Sequence, residues 1–84
     1  IAAELYDRYL QDLVAGSRNA CVAEVQRLLI RLPLRALFLD LLQTSLYEVG
    51  TRWAAGQLSV AQEHLATAIT EEALVGYAEF LRSN

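Results

Sequence analysis

The sequence predicts an all-α protein, an antiparallel four-helix bundle, and three observations carry that prediction. Apolar residues recur at three- and four-residue steps over nearly all of the 84 positions, the spacing that lines one face of an α-helix. Only one proline and four glycines punctuate the chain, and Gly16, Pro33 and Gly56 fall where helix ends would go. No stretch alternates apolar and polar residues as a half-buried strand does. Four such segments joined by short connections favour antiparallel neighbours.

The first helix follows from Ala3, Tyr6, Leu10 and Leu13, with Glu4, Asp7, Gln11 and Asp12 on the opposite face. Glu4 and Arg8 stand at i, i+4 in the favoured order. Gly16 then supplies the left-handed residue that ends a helix, and Ser17 is the expected N-cap of the next. In the second helix Cys21, Val25, Leu28, Leu29 and Leu32 form the apolar stripe, while Glu24, Arg27 and Arg31 are expected to face water. Pro33 suits a helix start and separates the second helix from the third with almost no loop.

The third helix is the longest periodic signal. Leu39, Leu42, Leu46, Val49 and Trp53 repeat at steps of 3, 4, 3 and 4, the spacing of a bundle seam. Leu34, Phe38 and Leu41 add a second apolar edge over its first half. Gly50 inside this helix costs ~1 kcal/mol relative to alanine, and close packing of a bulky neighbour is its expected use. Gly56 closes the helix. Ser59 opens the fourth, and Gln62 three residues later completes a capping box. Leu65, Ala68, Ile69, Gly76 and Phe80 form one stripe of the fourth helix, and Leu74, Tyr77 and Leu81 form another. A second stripe implies a contact beyond the bundle.

Composition excludes several classes of function. The chain is 55% apolar and 20% charged, which rules out a disordered tail. Its net charge is −3, and all seven cations are arginines scattered along the sequence, a poor footprint for nucleic acid. One cysteine, Cys21, and one histidine, His64, leave no disulfide framework and no zinc motif. The apolar runs are too short to span a membrane, and no signal-peptide pattern is present. The expected location is therefore the cytoplasm. No glycine-rich phosphate loop exists, no serine has a base at recognisable spacing, and Cys21 lies on a core stripe. No catalytic residue is assigned, no metal ligand is assigned, and the chain is not expected to be an enzyme.

One segment stands out, residues 49–67, V-G-T-R-W-A-A-G-Q-L-S-V-A-Q-E-H-L-A-T. Trp53 ends the third helix. Val60, Glu63 and His64 lie in the first turns of the fourth, within about 100° of arc at ~100° per residue, so the three can face one way. The short turn returns that face beside Trp53. Each member also has an ordinary structural role: Trp53 extends the apolar seam, Glu63 suits a helix N-terminus, and His64 suits a partly buried position.

This segment resembles the helical cap that precedes a Rossmann-like cobalamin-binding domain, and most closely that of the cobalamin-dependent photoreceptor transcription regulators and their sensor relatives. Those proteins carry a tryptophan, nine residues and then Glu-His; here Trp53 is followed by residues 54–62 and Glu63-His64. The cap of the related methionine synthases and corrinoid shuttle proteins tends to place phenylalanine where Trp53 stands and Leu-Pro-Glu near Val60, and this chain has neither. The resemblance implies one domain over residues 1–84, a piece of a larger protein whose following Rossmann-like domain is its partner. It implies that Trp53, Val60, Glu63 and His64 line the upper face of adenosylcobalamin around the 5′-deoxyadenosyl group. It further implies a sensor that regulates transcription, with a light response, DNA contacted only through a separate domain, and assembly as a homo-oligomer.

Two departures from the pattern are visible. The photoreceptors place a cobalt-binding histidine directly after the tryptophan, where this chain has Ala54. The D-x-H-x-x-G segment that supplies the lower cobalt ligand is absent from these residues. Two other readings stay open: a cap of a corrinoid-dependent methyltransferase, and a cobalamin-free descendant that binds haem, another tetrapyrrole or a protein partner.

Overall fold

A computed structural model describes residues 1–83. Helix α1 spans Ala3–Ala15 and α2 spans Arg18–Leu29. Helix α3 runs without interruption over residues 34–54, and α4 is Val60–Ser83. No strand occurs among the described residues. α1 packs on α2, α3 and α4; α2 and α3 pack on each other and on α4. The expected four-helix bundle is the fold.

Two glycines make the turns. At Gly16 the backbone enters the left-handed region with φ 74°, its N–H bonds Leu13 O at 3.1 Å, and Ser17 N–H bonds Asp12 O at 2.9 Å. This pair of bonds caps the carbonyls that α1 leaves open. A Cβ at Gly16 would also stand 2.6 Å from Leu65 Cδ2 of α4, so that exposed side chain would have to shift. Ser17 holds the N-cap position of α2, yet its hydroxyl makes no capping bond. Pro33 takes the N-cap of α3 rather than its first turn.

The core contains Tyr9, Leu10, Leu13, Cys21, Val25, Leu28, Leu37, Leu41, Leu42, Val49, Ala66, Ile69 and Ala73. Burying a side chain such as Leu13 contributes ~1.5–3 kcal/mol. The expected stripe of α2 is confirmed at Cys21, Val25 and Leu28, with Leu29 and Leu32 packed at its margin. In α1 the periodicity misses Tyr9, which is buried, and overstates Ala3, which is exposed.

The seam of α3 differs from the expected one. Leu37, Leu41, Ser45 and Val49 face inward, whereas Leu39 and Leu46 are half-buried and Trp53 is 47% exposed. The cause is local: over Leu37–Gln43 the helix widens to i→i+5 hydrogen bonding, and the Thr44 hydroxyl follows by donating to Leu39 O at 2.7 Å. Each step of four residues overshoots one α-helical turn by ~40°. A wider turn removes part of that overshoot and keeps 37, 41, 45 and 49 in line. Buried Ser45 is satisfied by donating to Leu42 O at 3.1 Å.

The stripe expected on α4 is also displaced. Ala66, Ile69, Thr70 and Ala73 are buried, while Leu65, Ala68, Gly76 and Phe80 are exposed. Small residues bring α4 close to its neighbours and leave the larger side chains at the margin. The second stripe does not sit on a flat outer face. Leu74 and Tyr77 line an apolar cavity of about 530 Å³ with Val25, Leu34, Phe38 and Leu42.

Candidate functional site

The end of the bundle that holds residues 49–67 is built by two capping devices. At the C-terminus of α3, Gly56 takes φ 76°; its N–H bonds Trp53 O at 3.0 Å and Gln57 N–H bonds Arg52 O at 2.8 Å. The glycine turn therefore fixes the backbone of Trp53 itself. At the N-terminus of α4 the expected capping box forms in both directions: Gln62 N–H donates to Ser59 Oγ at 3.1 Å, and Ser59 N–H donates to Gln62 Oε1 at 2.9 Å. These bonds satisfy orphan amides of the first turn and set the phase at which Val60, Glu63 and His64 emerge.

Trp53 is 47% exposed and Val60 55% exposed, so neither is a core anchor. Trp53 makes no ring–ring contact among the described residues. His64 projects into solvent, with 75% of its side chain exposed, while Glu63 keeps 26%. The two are joined, His64 Nδ1 lying 2.9 Å from Glu63 Oε2. The second ring nitrogen, Nε2, is a donor or an acceptor according to the tautomer. Thr67, one turn on, stands 3.1 Å from Glu63 O and 3.3 Å from Glu63 Oε1 and can donate to either. Sequence reading did not single out Thr67, although its i+4 spacing from Glu63 puts the two on one face.

Gly50 is not a close-packing point, contrary to expectation. Nothing lies within 4 Å of a Cβ built there. Instead it forms part of an open concavity of about 510 Å³ with Gln43, Leu46, Tyr47, Thr51 and Ala54. Ala54 follows Trp53 directly, so this hollow adjoins the indole-bearing turn. Tyr47 is 71% exposed at its margin. On another face of α3, Arg52 Nε pairs with Glu48 Oε2 at 2.8 Å.

Elsewhere, two sequence expectations change. Cys21 is buried as expected, and burial, followed by the Glu24 and Asp12 charges, pushes its thiol up to about 12. Glu24 does not simply face water: its Oε2 is buried without a partner. Burial first, and the Asp12 carboxylate next, raise its pKa from the ordinary value. The arginines are not all scattered in space either, since Arg8, Arg27 and Arg31 line one recess between α1 and α2. Among the described residues no cluster suits a metal ion, and no helix is long and apolar enough to cross a membrane.

The model of the B12 binding domain family matches residues 5–75. No curated protein matches the chain. The match takes in all of α2 and α3, most of α1, and α4 as far as Val75. The chain belongs to the B12 binding domain family, as its helical cap, and its role is the binding of a cobalamin-type cofactor.

Proposed function

We propose that this B12 binding domain cap covers the upper face of adenosylcobalamin in a cytoplasmic sensor or transcription regulator and performs no catalysis of its own. One observation carries the reading. An exposed indole, Trp53, is held by a capped turn at the same end of the bundle as Glu63, which has His64 Nδ1 close by and a hydrogen bond from Thr67. A large apolar ring left open to water, with oriented polar groups near it, is the usual make-up of a small-molecule site.

The residues fit a nucleoside-bearing upper ligand. Trp53 offers a flat apolar lid, and Val60 an aliphatic neighbour. The Glu63 carboxylate accepts, and the exposed His64 ring offers a donor and an acceptor nitrogen, which matches ribose hydroxyls and a purine edge. Thr67 offers its hydroxyl to the Glu63 carboxylate from one turn on. When bound, the cofactor supplies a light-labile cobalt–carbon bond. Ala54 carries no ligating atom, so the cap cannot take a cobalt position at that residue after photolysis. Signalling then rests on emptying the space under Trp53 and releasing the cap from a Rossmann-like partner domain, a shift in which packing is favoured. That partner, a homo-oligomeric state and a separate DNA-binding domain belong to this reading.

The test is an absorption spectrum. The longest natural polypeptide carrying these residues is incubated in the dark with adenosylcobalamin, desalted, and measured before and after green light. Retained corrin absorbance is expected, and Trp53→Ala is expected to reduce retention about 10-fold or more, as loss of a buried aromatic anchor does, with helix content unchanged. Retention equal in variant and parent removes Trp53 from the site. A light-dependent change in assembly size favours the sensor, and its absence favours the methyltransferase cap. No retained corrin at all favours a descendant that uses the same end for another tetrapyrrole or a protein.

A further inference from the structure

Helix α3 leaves ordinary α-helical geometry over Leu37–Gln43, where it widens to i→i+5 hydrogen bonding. Such turns are rare in proteins and are frequent at functional sites. This one lines a hollow. Leu37, Phe38, Leu39 and Leu42 of the widened turn border the apolar cavity of about 530 Å³, which Val25 of α2 and Leu74 and Tyr77 of α4 close from the other sides. The cobalamin reading makes no use of this cavity. Phe38 lies roughly 20 Å along α3 from Trp53 at 1.5 Å per residue.

Size, polarity and charge together describe an occupant. The volume falls inside the ~300–1,000 Å³ of small-molecule sites. Buried Val25, Leu37 and Leu42 form the floor, and exposed Leu34, Phe38 and Leu74 form walls that a ligand can reach. No carboxylate lines the cavity, and its one charged lining residue is Arg35. Arg35 joins no ion pair or side-chain hydrogen bond among the described residues. It stands in the first turn of α3, where a cation opposes the helix dipole and an anion is favoured. A protein partner fits less well, because α4 divides the apolar surface at this end. Ile30 and Phe80 belong to a separate hollow between α2 and α4, and Val75 and Leu81 line neither. What the cavity walls leave open is a small part of the ~800 Å² per partner of a stable protein interface.

We infer that this cavity binds a medium-chain aliphatic carboxylate, with the hydrocarbon chain over Leu37 and Leu42 between the Leu34, Phe38 and Leu74 walls and the carboxylate group at Arg35. The chain supplies most of the affinity, since each methylene that enters leaves water for an apolar lining. The head group supplies orientation. A guanidinium group pairs with a carboxylate in a fixed fork, but Arg35 is exposed, and an exposed ion pair contributes little. The binding is therefore set by chain length first and by charge second. It takes place at the opposite end of α3 from Trp53 and does not depend on cobalamin.

The test titrates the longest natural polypeptide carrying these residues with straight-chain carboxylates from hexanoate to tetradecanoate, and with decylamine, all below their micellar concentrations. Calorimetry gives affinity, and leucine methyl resonances give the place. Affinity is expected to rise about 3-fold per added methylene and to level off once the cavity is full, with saturable shifts at Leu34, Leu39, Leu42 and Leu74. Decanoate is expected to bind about 5-fold more tightly than decylamine, although the net charge of −3 favours the amine everywhere else on the surface. Arg35→Gln is expected to remove that preference and to keep the dependence on chain length. Leu34→Glu is expected to weaken decanoate about 10-fold or more; an acidic side chain suits the first turn of a helix, so circular dichroism is expected to show the fold intact. Equal binding of decylamine would overturn the assignment, as would affinity that climbs without a plateau or shifts spread to Ile30, Val75 and Leu81, the signs of adsorption to the surface. Silent cavity resonances would overturn it too, and a concentration-dependent mass that Leu34→Glu abolishes would then give the cavity to a second copy of the chain.

Discussion

Glu24 shows how one side chain departs from its sequence pattern. Its position opposite the α2 stripe predicts a solvated carboxylate, yet it lies against α1, where Asp12 and the buried Tyr9 ring approach it. Periodicity records which face a residue occupies but not how closely the next helix passes. The raised pKa has a consequence with a definite sign. The folded chain holds the Glu24 proton to higher pH than the unfolded chain, so within that window the folded state binds more protons. Stability then falls as pH rises from the ordinary carboxylate value through the raised one. Glu24→Gln is expected to remove that slope, because the amide has no proton to titrate in this range. Thermal unfolding of parent and variant at pH 4, 5, 6 and 7 checks it; parallel curves would mean that the Glu24 carboxyl is solvated in both states.

Among the elements, α4 was the least legible in its packing and the most legible in its start. Ser59 and Gln62 announce the N-terminus by residue type and spacing alone, and the reciprocal bonds form between those two residues. The buried line Ala66, Ile69, Thr70 and Ala73 is hidden because two of its four members are alanines and one is a threonine. A stripe drawn through large apolar side chains instead picks out Leu65 and Phe80, which stand at the margin. In α3 the heptad-like steps were present, but the widened turn over Leu37–Gln43 changes the phase, and no residue type signals such a turn in advance. Trp53 stands one turn past the buried Val49, in the last turn of α3, and its 47% exposure removes the core role that its spacing equally allowed. The capping box also positions Val60, Glu63 and His64. Ser59→Ala is expected to destabilise the fold by ~1 kcal/mol, the usual effect of losing such a cap, and to fray the first turn of α4. Faster amide exchange at Gln62 and Glu63, with α1 unchanged, is the matching observation; uniform exchange would separate the cap from the site.

For the whole molecule, size decides how much any core contact matters. A chain this short buries only about 60% of its unfolded surface, and at ~0.05–0.15 kcal/mol per residue the bundle holds roughly 4–13 kcal/mol. The bundle is elongated, 42 × 23 × 18 Å, so its core is a narrow column rather than a ball. Leu41 sits in the widened turn of α3 and is 0% exposed, between Leu37 and Leu42, both also buried. Next to it opens the apolar cavity of about 530 Å³ that Leu37 and Leu42 line, so neighbouring side chains have room on one side but no spare volume to close a second void. Leu41→Ala is therefore expected to cost ~2–5 kcal/mol, up to the whole stability of the chain at the low end of its range. Leu81, 52% exposed near the end of α4, is the control, because Leu81→Ala at the surface is expected to stay within about 0.5 kcal/mol. Urea unfolding reads both: the Leu41 variant should lose its midpoint or move it far down with an unchanged slope. Equal midpoints for the two variants would mean that the column of Leu37, Leu41, Ser45 and Val49 does not form the core. The phase of α3, and with it the exposure of Trp53, would then have to be redrawn.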